Sequence, residues 1–152
     1  MDLLRHSLAT LSYRLGKVLR DTSAEFASHP EGDPQNAVKV LAHIGDLMEW
    51  SLSMVDGHSK WHDSAPLAWR DEIARFYASI SALDAKLAEI GAGGSTPEKL
   101  FQGPISDALT HVGQLAMMRR QAGIKMSGEN YYVAEIVAGR VGPEQAIPRR
   151  VF

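Results

Sequence analysis

The chain contains no cysteine, which removes disulfides, thiolate metal sites and a cysteine nucleophile of its own in one step. It has no run of about 20 consecutive apolar residues, the length a membrane-spanning helix requires, so a soluble protein is expected. An excess of charge is missing too: 16 Lys and Arg stand against 18 Asp and Glu, a formal net charge of -2. The basic pairs Arg119-Arg120 and Arg149-Arg150 are isolated, and so sparse a positive field offers little to a phosphate backbone. Neither nucleic acid nor a membrane is an expected partner. The opening residues Met1-Asp2-Leu3-Leu4-Arg5-His6 carry an acid and then a helical pattern, in place of the basic start and apolar run of a secretion signal. Cytoplasmic residence is the expectation that follows. Strand-type alternation, internal repeats and low-complexity tracts are also lacking, which argues against a sheet core and against a linker between domains.

What remains is a chain of 152 residues, 45% hydrophobic and 22% charged. That length and composition predict one globular domain over residues 1–152, able to bury roughly two-thirds of its unfolded surface. Its apolar residues recur at steps of three and four, the period of a helix face. Leu4, Leu8, Leu11, Leu15, Val18, Leu19 and Phe26 mark a first helix ending before His29-Pro30. Asp33-Pro34 offers a cap and first turn for a second helix, with Val40, Leu41, Ile44, Leu47, Met48, Ser51 and Val55 inward and Gly57 at its end. Pro66 can open a third, with Trp69, Ile73, Phe76, Ile80, Leu83, Leu87 and Ile90 in register. After Gly91-Ala92-Gly93-Gly94-Ser95, a short turn begins at Thr96-Pro97-Glu98 and Gly103-Pro104 reopens a fourth long helix through Ile105, Ala108, Val112, Leu115 and Ala116, closed by Gly123. Tyr131, Tyr132, Val133, Ile136 and Val137 suggest a short additional C-terminal helix within a tail laid across the rest. The fold class predicted is all-α, a four-helix bundle.

A bundle interior is apolar, so polar side chains that the periodicity turns inward carry the functional information. His43 shares a strip with Val40, Leu47, Trp50 and Met54, and His111 shares one with Ala108, Leu115 and Met118. Asp107 stands four residues before His111, which places a carboxylate and an imidazole on adjacent turns of one helix face, about 6 Å apart at Cβ. Ligands at this spacing chelate zinc in helical metalloenzymes, and His43 from another helix can supply a third donor, leaving positions open for water or substrate. Two readings are open from the residues alone: a three-ligand metal site, or hydrogen-bonded core histidines with Asp107 favouring the positive end of its helix. Asp46, one turn from His43, can orient its ring, while Glu49 is expected to be solvated or paired with a neighbouring cation. His6, His29, His58 and His62 fall on surfaces or loops, where solvation is the ordinary state. Trp50, Trp61, Trp69, Tyr131 and Tyr132 are assigned to core or rim packing.

The segments Leu41-Ala42-His43-Ile44-Gly45-Asp46-Leu47-Met48-Glu49-Trp50 and Asp107-Ala108-Leu109-Thr110-His111-Val112-Gly113-Gln114-Leu115, continuing to Met118-Arg119-Arg120, resemble the two metal-binding helices of the DinB-like (DinB/YfiT) superfamily, and the resemblance covers nearly the whole chain. By it, His43 matches the first ligand and His111 the last, while Asp107 stands where the family most often has a histidine. The resemblance implies a four-helix bundle with a long connection, frequent homodimerisation, and a divalent metal held by His43, Asp107 and His111. Asp46 and Gln114 are then the candidates to orient the ligands. Zinc or nickel is the leading expectation for the metal; the carboxylate shifts preference toward harder ions, so manganese and iron remain alternatives. Known members include transferases and isomerases that use low-molecular-weight thiols such as bacillithiol or mycothiol. The implied function is a metal-dependent enzyme acting on a small-molecule substrate, with a thiol S-transferase as its concrete form and no catalytic residue named. A non-catalytic small-ligand-binding or stress-response module, or a dimeric assembly module, is the alternative.

Overall fold

The computed structural model describes residues 2–152; Met1, with which the leader reading and the single-domain span begin, lies outside them. Among the described residues six α-helices follow one another: α1 (Asp2–Leu19), α2 (Ala24–Ala27), α3 (Ala37–Val55), α4 (Trp69–Ile90), α5 (Pro97–Leu100) and α6 (Ser106–Gln121). The described residues hold no β-strand, only an isolated bridge between Glu129 and Val151, and none of their helices is long and apolar enough to cross a membrane. The four long helices form a ring in which α3 and α1 each pack against both α4 and α6.

The apolar stripes account for this packing. Leu8, Leu11 and Leu15 of α1, Leu41, Ile44 and Met48 of α3, Phe76, Ile80, Leu83 and Leu87 of α4, and Ile105 and Leu115 on the α6 side meet in one core. Each such side chain contributes about 1.5–3 kcal/mol through removal from water. Ile90, placed on the same stripe by its spacing, is exposed instead, at the last residue of α4, whereas Leu87 one turn earlier is buried.

Helix boundaries differ from the sequence reading where local polar groups win. The first helix stops at Leu19; Asp21 adopts a left-handed φ of 59°, and Phe26 belongs to the separate turn α2. Asn36, not Asp33, caps α3, its side chain accepting from the Lys39 N–H, while Asp33 accepts from Gln35 N–H in the preceding turn. Pro66 does not open α4: Glu72 reaches back to the Leu67 N–H at 2.8 Å and the helix starts at Trp69. Gly103-Pro104 is no break either. The five residues Phe101–Ile105 form a π-helical turn that runs straight into α6, and such a wider turn takes up a proline that an α-helix interior would reject. Between α4 and α5, Gly93 has a φ of 54°, and a Cβ there would stand 2.1 Å from the Val55 carbonyl oxygen, so only glycine lets this turn close on the end of α3.

The short C-terminal helix is absent. Only Tyr131–Val133 make a 3-10 turn, ended by extended Ala134, and Tyr132, Val133 and Val137 are exposed, so this segment has no continuous apolar face to support a helix. Tyr132, expected to pack, projects almost wholly into solvent. The tail does lie on the bundle through polar ties: Tyr13 donates to buried Glu129 at 2.5 Å, Lys17 pairs with the same carboxylate at 2.8 Å, and Ser12 donates to the Val141 carbonyl at 2.7 Å. Burial and the Glu129 contact both push the Tyr13 phenol above its usual range, which keeps it a donor. Arg119 of α6 donates to the carbonyls of Lys17, Val18 and Arg20 and to that of Lys125. It thereby satisfies the carbonyls that the end of α1 would otherwise leave open, with a positive charge at the negative end of that helix.

Candidate metal centre

The ring of helices sets α3 beside α6, and this contact decides the site. His43 lies in the second turn of α3, and Asp107 and His111 occupy the first two turns of α6, one above the other. Asp107 Oδ2 lies 3.5 Å from His43 Nε2 and its Oδ1 lies 3.4 Å from His111 Nε2. The two imidazoles meet edge to face, with centroids 4.7 Å apart. One donor atom from each of the three residues falls within 4.8 Å of the others. The side chains are half-buried, at 36%, 49% and 21% exposure for His43, Asp107 and His111, so the cluster is at a cleft mouth and not, as the inward strip implied, in the apolar interior.

The distances discriminate between chemistries. A carboxylate hydrogen-bonded to a protonated imidazole stands about 2.7–2.9 Å from it, and both contacts here are longer. Donors about 2.0–2.2 Å from a shared ion at tetrahedral angles stand about 3.3–3.6 Å from one another; each histidine stands at such a distance from Asp107, through a different carboxylate oxygen. Gln114 adds a second constraint: its Oε1 is 2.7 Å from His111 Nδ1. With the amide oxygen accepting there, Nδ1 is the donor, and the ring is held with Nε2 facing the Asp107 oxygen at 3.4 Å. The three residues are spaced so that they could hold a metal ion.

The loop between α3 and α4 closes one flank. Trp61 packs edge to face on His43 at 5.6 Å and on Trp50 at 5.6 Å, and Trp50 Nε1 donates to Ser59 at 2.9 Å. Trp61 is therefore a wall of the site, while Trp69 is core and donates to Thr22 Oγ1 at 3.0 Å.

Asp46 does not orient His43. It is buried, and its oxygens go to the Arg75 guanidinium and the Ser64 N–H, with His62 at 3.7 Å. Arg75 also binds Glu49 at 2.9 Å and Glu72 at 2.8 Å, and His62, expected in solvent, stands 3.0 Å from Glu49. Asp46, Glu49 and His62 are spaced closely enough to hold an ion, but Arg75 already supplies their cation, so this cluster is an ion-pair network. Burial would raise the Asp46 carboxyl; hydrogen bonds from Ser64 and Arg75 outweigh it and hold the group below the usual carboxylate range. Arg75 carried no mark in the sequence reading. The signal available was Gly45, since a Cβ there would come 3.1 Å from the guanidinium, together with acids at positions 46 and 49 on α3 and at 72 on α4.

No protein-family model, curated protein or solved structure matches this chain. The site stands on its own geometry.

Proposed function

We propose that His43, Asp107 and His111 hold a divalent metal ion, zinc or nickel by preference, and that the protein is a metal-dependent enzyme of the DinB-like type. The observation that supports this reading is the convergence of one donor atom from each of His43, Asp107 and His111 within 4.8 Å, with His111 Nε2 3.4 Å from Asp107 Oδ1 and His43 Nε2 3.5 Å from the other oxygen of the same carboxylate. The order of the ligands on two adjacent helices of an all-α fold supports the DinB-like assignment.

A divalent ion supplies Lewis-acid charge, which stabilises a thiolate at neutral pH. The chain has no thiol of its own, so the thiol belongs to a low-molecular-weight cosubstrate, and the reaction class is its transfer to an electrophilic small molecule. The chain's own residues do the positioning. Gln114 fixes the His111 ring, Trp61 closes one flank of His43, and the side left open is the cleft. The test is zinc, nickel, manganese and ferrous-iron titration of protein purified without an affinity tag. One-to-one uptake of at least one of these ions is expected. Lack of stoichiometric uptake of all four would overturn the proposal and favour a non-catalytic module whose polar residues only stabilise the cleft.

We also propose a symmetric homodimer. Exposed Leu3 and Phe101 adjoin Pro97 in an apolar patch at one end of the bundle, and such patches on isolated subunits commonly mark interfaces. Sedimentation across micromolar to submillimolar protein should give twice the chain mass; monomer throughout that range would refute it.

A further inference from the structure

A cleft of about 510 Å³ opens beside the triad, with His43 and His111 at one end. This volume is within the range that holds a small organic ligand. Most of its wall surface is apolar, and Pro30, Val40, Met117 and Met118 supply its apolar side chains. Gln35, Gln114 and Gln121 add neutral amides. Asp33 is the one carboxylate among the lining residues, and no lysine or arginine lines the cleft.

That charge pattern selects. An anionic arm entering here would shed water, meet no compensating cation along the walls and approach Asp33. An apolar arm would displace water from Val40 and the methionines, whose flexible thioethers adapt to varied shapes. We propose that the cleft receives the uncharged, apolar arm of a small molecule whose donor atom lies at His43 and His111. The position of the donor atom rests on the metal reading; the choice of an uncharged arm rests on the cleft walls alone.

The experiment follows the methionine ε-methyl resonances of the full-length protein, labelled with 13C at those methyls and assigned by substitution. 1-Butanethiol and 3-mercaptopropionate, which share a thiol but differ in the arm, are titrated with zinc present and with zinc removed. The methyls of Met117 and Met118 should shift on addition of butanethiol in both states, and butanethiol should bind at least about tenfold tighter than 3-mercaptopropionate, the effect of roughly two buried methylenes. Met117→Lys, at an exposed position of α6, should narrow the difference by giving the carboxylate a partner.

Equal or tighter binding of 3-mercaptopropionate to the unsubstituted protein would overturn the inference. So would an absence of methyl shifts with butanethiol in both states, or shifts that follow protein concentration alone, which would put a second copy in the cleft. Zinc-independent shifts with butanethiol, in a protein that takes up no metal, would leave this inference standing while the metal reading fell.

Discussion

Replacing Arg75 with alanine should destabilise the protein by about 3–5 kcal/mol, the cost of leaving buried charges without their partner. Arg75 is 15% exposed and faces Asp46, Glu49 and Glu72, which are 4%, 32% and 0% exposed in their side chains. Among the described residues no other lysine or arginine pairs with these three carboxylates, and His62 approaches two of them. The loss should appear as a fall in the urea midpoint. It should also alter acid unfolding. Asp46 has a folded-state pKa below its ordinary value, so its contribution is complete above the unfolded value of about 4 and is lost as pH falls through the lower folded value. Without Arg75 part of that depression goes, the Ser64 hydrogen bonds remaining, and the acid midpoint should move to higher pH. Arg75→Lys should recover only part of the loss, because one ammonium cannot reproduce a guanidinium shared among three carboxylates. An Arg75→Ala variant as stable as the parent at pH 7 would show that the network adds nothing to the fold.

Replacing His111 with alanine should lower metal affinity at least about a hundredfold, since loss of a partner that merely orients a ligand already costs 10–100-fold. Gln114→Ala tests that smaller figure. It removes the acceptor 2.7 Å from His111 Nδ1 and should weaken binding by about 10–100-fold with the three donors intact. The fold should survive both changes. His111 is partly exposed at the cleft, and the core is made of the leucine, isoleucine and phenylalanine stripes that His111 does not join, so a stability change within about 1 kcal/mol is expected. Isothermal titration with zinc, paired with far-UV circular dichroism, separates the two effects. Retention of full zinc affinity in His111→Ala would remove that residue from the metal site, and wholesale unfolding would make the site structural and deprive the enzyme reading of its support.

The helical character of the chain and most of its core were legible because a 3.6-residue period needs only neighbours along the chain. Leu8, Leu11 and Leu15, or Ile80, Leu83 and Leu87, declare a buried face before any partner is known. Helix ends were less legible. Several rival caps stood near one another, and small hydrogen-bond differences chose Asn36 over Asp33 and Trp69 over Pro66. A π turn that absorbs Pro104 has no sequence signature comparable to the glycine and proline that predicted a break.

The sequence by itself determined which side chains could serve as ligands: the absence of cysteine left imidazole and carboxylate, and the four-residue step from Asp107 to His111 put two of them on one helix face. Only the tertiary structure decided that His43 joins them, because the packing of α3 against α6 brings together residues 64 apart (107 minus 43). It also decided that Asp46 turns away, since Arg75 of α4 offers it a full charge and hydrogen bonds that His43 does not. Local periodicity fixes a residue's face, whereas the choice among partners on other helices depends on distances that exist only after the bundle has closed.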